Sequence, residues 1–137
     1  MAAEISPVLA SLNVAVGGAV GCVLRYHVGR AVTNVTDTGG GFPWGTLSVN
    51  VLGSLLMGGL VGWLARGTTT AEAAESMRLL LGVGLLGGFT TFSAFSSELV
   101  TLAHRGQMMT ALGYGGASLA AGMAAMLIGL VAAQSLS

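Results

Sequence analysis

Four long apolar segments fill most of this chain, from about Val8 to Val32, Phe42 to Leu64, Ala73 to Ala103 and Met108 to Ala133. A helix needs about 20 predominantly apolar residues to cross a bilayer, so each segment can span once. The 137 residues leave no length for a separate soluble domain. Charged residues make up 7% of the chain, whereas soluble domains carry roughly 25%. The expected fold is therefore an all-α membrane protein, a single domain over residues 1–137 with four transmembrane helices and lipid as its solvent.

The connectors Thr33–Gly41 and Ala65–Glu72 are rich in Thr, Gly and acidic residues, as solvated turns should be, and His104–Gln107 is a short third link. Pro43 suits the first turn of the second helix, and Trp44 and Trp63 mark its two interfaces. The N-terminus carries Glu4 and no basic residue, so it lacks the positive region of a cleavable signal and the first span is expected to be retained. Arg30 and Arg105 fall on one side of the membrane and Arg66 and Arg78 on the other. The positive-inside rule then names no orientation. Either the chain inserts both ways and antiparallel copies pair, or some other determinant sets one orientation.

The third segment is unlike a plain anchor. It holds Gly87-Gly88-Phe89-Thr90-Thr91-Phe92-Ser93-Ala94-Phe95-Ser96-Ser97-Glu98. Polar groups in hydrocarbon are costly and call for internal partners. Gly87-Gly88 is expected to end a half-helix in the left-handed conformation, with Thr90 or Thr91 capping the next. Such a break either offers the carbonyls of Gly87 to Thr90 to a hard cation or is a kink satisfied by neighbouring threonines. The residues alone leave both open.

Each span also carries a small or polar stripe at helical spacing: Gly18, Gly21, Cys22 and Arg25; Thr46, Asn50, Gly53 and Ser54; Phe89, Phe92 and Phe95 beside Ser93 and Ser96; Tyr114, Ser118 and Gly122. One stripe alone would suggest interhelical hydrogen bonds, but four in so small a bundle suggest a shared polar path. GxxxG spacing at Gly17/Gly21, Gly58/Gly62 and Gly84/Gly88 points to a tight bundle or dimer seam. The phenylalanines either gate or pack, or present positive ring edges to a small anion. Asn50, Ser93, Ser96 and Tyr114 supply donors for the latter. Glu98 is the one carboxylate near these residues, which argues against an acidic, cation-conducting pore.

Other functions fit less well. The single cysteine, Cys22, excludes an intramolecular disulfide and reads as a small packing residue. His27 and His104 lie near span ends, away in sequence from Ser93 and Ser96, so no nucleophile–base pair suggests an enzyme. Zero formal net charge makes nucleic acid an unsuitable partner. A small multidrug transporter of similar size would need an acid in its first helix, and none is there.

The motifs Gly17-Gly18-Ala19-Val20-Gly21 with Arg25-Tyr26, Gly45-Thr46-Leu47 with Val49-Asn50 and Gly53-Ser54, the third-segment run from Gly87 to Glu98, and Tyr114 with Ser118 together resemble the Fluc-type (CrcB) fluoride channels. The resemblance covers all four spans. It implies a multi-pass protein of the inner or plasma membrane. It also implies an antiparallel, dual-topology homodimer whose two pores export fluoride passively. It places fluoride-coordinating rings at Phe92 and Phe95, a pore amide at Asn50, and polar lining at Ser93, Ser96, Thr46, Tyr114 and Ser118. Arg25 would stand near an aqueous vestibule and Glu98 in a supporting role. The backbone carbonyls of Gly87 and Thr90 would hold a structural sodium ion at the dimer seam, and no organic cofactor is implied.

Overall fold

The computed structural model describes residues 5–37 and 39–136, so the acid at Glu4 lies outside the described residues. Four helical spans are long and apolar enough to cross a membrane: Pro7–Thr36, Trp44–Leu64, Ala71–His104 and Met108–Ser135. The described residues contain no strand.

Local chemistry sets the ends of these spans. Helix α1 (Pro7–Thr36) starts where Ser6 accepts from the Leu9 N–H at 3.3 Å, with Pro7 in the first turn. It runs about a turn beyond the expected Val32, because Thr36 turns its hydroxyl back to the Val32 carbonyl (2.8 Å) and nothing breaks the helix before the glycines. Helix α2 (Trp44–Leu64) follows Pro43, which caps rather than enters it; the Leu47 N–H bonds the Pro43 carbonyl at 3.1 Å. Thr70 caps helix α3 (Ala71–Met77), placing the start of the third span two residues before Ala73. The chain then widens into a π-helix over Arg78–Leu86, which the apolar pattern did not foretell, and returns to α geometry in the single turn α4 (Gly87–Phe89). After Thr90 and Thr91 come helix α5 (Phe92–His104) and the last span, α6 (Met108–Ser135).

The break therefore lies at Thr90–Thr91, and the expected left-handed glycine is corrected. Gly87 has φ −64° and ψ −38°, ordinary helix, and positive-φ glycines occur among the described residues only at Gly39, Gly41, Gly67 and Gly106. Gly88 is small for another reason. A Cβ there would lie 2.7 Å from the Gly18 carbonyl oxygen, and one on Gly84 would lie 3.0 Å from the Gly17 Cα. The glycine pairs of α1 and the third span thus face each other, backbone against backbone, within one chain. Gly58 and Gly62 of α2 do the same against Met126 and Leu130 of α6, and Gly129 of α6 fits against Leu55 and Gly59 of α2. The GxxxG spacings are seams of the bundle.

These seams carry the packing, because few large side chains are buried. Val49, Leu86, Phe89, Leu102 and Tyr114 are among the buried core, while Val16, Val20 and Val23 of α1 and Leu119, Met123, Leu127 and Ile128 of α6 face outward. An exterior this apolar is stable only against lipid or another membrane chain. Gly129→Val is expected to force α2 and α6 apart and to destabilise the fold by about 1–3 kcal/mol or more. An early melting transition in detergent would show it. Gly113→Ala, where an added Cβ meets nothing within 4 Å, should melt with the parent chain.

Candidate functional site

The extended backbone at Thr90 (φ −81°, ψ 159°) and Thr91 (φ −150°, ψ 121°) takes two residues out of the helical ladder inside the bundle. Freed backbone groups in an apolar setting must find partners. Thr90 N–H still reaches the Leu86 carbonyl at 2.9 Å. The Thr91 N–H turns to Asn50 Oδ1 (2.8 Å), and Asn50 Nδ2 donates to the Thr91 carbonyl (3.0 Å), a reciprocal pair between α2 and the break. Arg25 reaches from α1 to donate through Nη1 to the Thr90 carbonyl at 3.2 Å. Thr91 Oγ1 caps α5 by accepting from the Ala94 N–H (3.1 Å) and lies 3.2 Å from Ser93 Oγ. Neighbouring threonines alone do not satisfy the break: Asn50 and Arg25 do much of it. Gly53 makes this possible, since a Cβ there would overlap the Thr90 methyl.

Two cavities flank Thr91, which lines both. The first, about 580 Å³, is walled by Asn50, Phe92, Phe95 and Ser118, with Ser54, Met57 and Met123 among the remaining surface. Its lining has no charged side chain. The Phe92 and Phe95 rings are 5.8 Å apart, tilted by 41°. Phe92 is 79% exposed at the outer face of the chain, whereas Phe95 packs inward on Tyr114 at 5.2 Å. Ser118 Oγ is buried without a hydrogen-bond partner. The second cavity, about 480 Å³, is lined by Arg25, Thr46 and Ser93 together with Gly29, Gly45 and Val49.

The remaining expected site residues lie elsewhere. Tyr114 is fully buried, and its hydroxyl donates to Glu98 Oε2 at 2.6 Å while Thr46 Oγ1 donates to Oε1 at 2.6 Å. One carboxylate thereby ties α2, α5 and α6 together, and Glu98 also forms part of a third cavity of about 420 Å³ that reaches Thr101 and Arg105. Ser96 turns its hydroxyl to the Phe92 carbonyl of its own helix (2.9 Å) and lines neither cavity beside Thr91. Glu98→Ala would leave the buried Tyr114 hydroxyl and Thr46 without their acceptor, at a cost of about 1–3 kcal/mol. Glu98→Gln, whose amide can still meet both hydroxyls, should recover most of that loss in a thermal melt.

The break also bears on a cation. With Thr91 N–H directed to Asn50, the Gly87 carbonyl lacks the N–H a continuous helix would give it. The Thr90 carbonyl has a second lone pair beyond its bond to Arg25. Neutral carbonyl oxygens suit a hard cation, so the donor type fits. Two from one chain are too few to surround an ion, and Arg25 already brings positive charge to one of them. No cluster of His, Cys, Asp or Glu fit to hold a metal occurs among the described residues.

Sequence reasoning names Thr91 only as a possible cap, and misses both its place as the residue shared by the two cavities and the backbone role of Asn50. A signal was present: an Asn on a stripe with Gly53 three residues later, and a Thr-Thr pair whose side chains favour caps over helix interiors.

A four-span membrane protein with its third span broken beside an uncharged, donor-bearing cavity is the class that fold and site define. The chain belongs to the CrcB family: the model described as "CrcB-like protein, Camphor Resistance (CrcB)" matches residues 12–130. Among its relatives, a protein of Novosphingobium aromaticivorans named fluoride-specific ion channel FluC is 51% identical over 121 residues, covering 88% of this chain and 93% of that one. Proteins of the same name from Erythrobacter litoralis (46% over 127 residues, 91% and 92% covered) and Caulobacter vibrioides (48% over 124 residues, 90% and 94%) are similar.

Proposed function

We propose that this chain is a fluoride-specific ion channel that carries cytoplasmic fluoride out of the cell passively and so lowers its toxicity. The observation that carries this most directly is the cavity of Phe92, Phe95, Asn50 and Ser118, where no charged side chain enters and the Ser118 hydroxyl is buried without a partner. Fluoride holds its water tightly, so a pore must replace hydration with several well-placed donors. An amide N–H, a hydroxyl and aromatic ring edges can do so without a full positive charge that would trap the ion. Ser93 and Thr46 beside Arg25 form the adjoining vestibule, and the Glu98–Tyr114–Thr46 group supports the bundle next to it. A negative-inside potential drives the anion outward with about 2.3 kcal/mol per 100 mV.

The working unit in this proposal is an antiparallel, dual-topology homodimer with two pores. Support comes from the balanced arginines and from the exposure of Phe92, an aromatic ring that a second copy would cover. The Gly87 and Thr90 carbonyls of both copies would hold a sodium ion at the seam, whose charge would offset the facing carbonyl dipoles. Replacing sodium by a bulky organic cation should then shift the detergent-solubilised dimer toward monomer in sedimentation; an unchanged distribution would remove the ion from the account.

The function is tested in bacteria lacking their own fluoride exporter. Expression of this chain should restore growth in acidic medium containing fluoride. Growth no better than with the empty vector, despite membrane insertion, would refute it.

A further inference from the structure

A carboxamide can present either its oxygen or its NH₂ to a neighbouring cavity, and which way it points is usually settled by the hydrogen-bond network. Around Asn50 that network is backbone. Thr91 N–H can only donate and gives its proton to Oδ1 at 2.8 Å; the Thr91 carbonyl can only accept and takes an Nδ2 proton at 3.0 Å. Turning the amide over would set oxygen against oxygen and N–H against N–H, losing two bonds and leaving two part-buried backbone groups unpaired. The second Nδ2 proton has no protein partner among the described residues, and Asn50 lines the uncharged cavity.

Building on the function above, we propose that the Thr91 backbone is a specificity-determining positioning element: it locks Asn50 so that the amide oxygen is engaged by backbone and a free N–H is left for the cavity. The break in the third span then acts at a distance of one hydrogen bond. Its extended residue fixes the polarity of a side chain on another helix. A free Asn would offer an acceptor part of the time and would hold cations or water as readily as an anion. The locked one favours an anion. Ser54 reinforces the arrangement by bonding the Asn50 carbonyl at 2.8 Å, so that its own hydroxyl proton turns away from the carboxamide.

The test exchanges the Thr91 amide for an ester, by incorporating the α-hydroxy analogue of threonine at position 91 of the full-length chain. Every side chain remains, but the N–H that holds Oδ1 becomes an acceptor. Fluoride efflux from liposomes is expected to fall by about tenfold or more, with a lower fluoride-to-chloride ratio and an unchanged elution volume. An ester also weakens the Thr90 carbonyl that Arg25 binds, so the same exchange is made in an Asn50→Ala background. If the effect runs through Asn50, the ester adds nothing there; a full additional loss overturns the proposal. The unaltered chain gives a second reading. With asparagine labelled with ¹⁵N, fluoride should shift one of the two Asn50 Nδ2 protons and leave the other in place. Equal shifts, or none, overturn the lock. Absence of fluoride flux in the unaltered chain would refute the underlying function, whereas flux indifferent to the ester refutes only this inference.

Discussion

Phe92→Ile is expected to lower fluoride efflux by about tenfold to a hundredfold, equivalent to about 1.4–2.8 kcal/mol of lost stabilisation in the pore. The argument turns on where the ring is. Phe92 is 79% exposed at the surface of the chain, so the fold of the single chain gains little from it. Were it only a lipid-facing residue, isoleucine would serve as well. If its ring edge replaces part of the ion's hydration, an aliphatic side chain of similar bulk cannot, because it lacks the positive rim of an aromatic quadrupole. Efflux should therefore fall while the melting temperature stays near that of the parent. Phe95→Ile offers a useful contrast. Its ring packs at 5.2 Å on Tyr114, which is fully buried, so that variant is expected to lose both flux and stability. Equal flux from Phe92→Ile and the parent would take the ring out of the mechanism.

Asn50→Asp should abolish fluoride efflux, leaving no more than protein-free liposomes show. Two effects act together. A carboxylate beside the uncharged cavity repels the anion at a depth where charge is poorly screened. The same substitution also removes the donor to the Thr91 carbonyl, so two acceptors face each other where a 3.0 Å hydrogen bond stood. The second effect costs about 1–3 kcal/mol of stability, visible as a lower melting temperature. Fluoride flux and a melting temperature both equal to the parent's would contradict the roles given to Asn50.

Much of the architecture was legible in the residues because lipid imposes a simple rule. Long apolar runs become spans, and the four expected segments agree with the four helices to within a few residues at most ends. The resemblance to a fluoride-channel family likewise agrees with the family to which the chain belongs. The break illustrates both the reach and the limit of such reasoning. Thr91 was among the expected caps and does cap α5, since a threonine hydroxyl accepting from an N–H three residues on is a local event. Gly87 and Gly88 were given the wrong role. Close approach to Gly18 and Cys22, not backbone freedom, makes Gly88 small there, and only the assembled bundle brings those backbones together. The π-helix over Arg78–Leu86 was invisible for a related reason: after Arg78 the segment is apolar or glycine throughout, so it carries no period that separates α from π turns, and the choice between them is made by packing.

Among the candidate site residues, the α1 and α2 stripes make contacts between helices. Arg25 ends the α1 stripe on the Thr90 carbonyl, and Thr46 and Asn50 begin the α2 stripe on Glu98 and Thr91. Periodicity told which residues share a face; it could not tell that the faces converge on two threonines. Tyr114 shows the same limit, because helical spacing placed it with Ser118 while the fold separates them, one sealed against Glu98 and the other at the cavity wall.

The most direct measurement of the central claim is fluoride efflux from liposomes containing only this purified chain, followed with a fluoride-selective electrode beside an identical chloride experiment. The account predicts rapid fluoride release once the membrane potential is relieved by a potassium carrier, with chloride retained. Retention of both ions by vesicles that demonstrably hold the folded protein, or equal release of both, would contradict it.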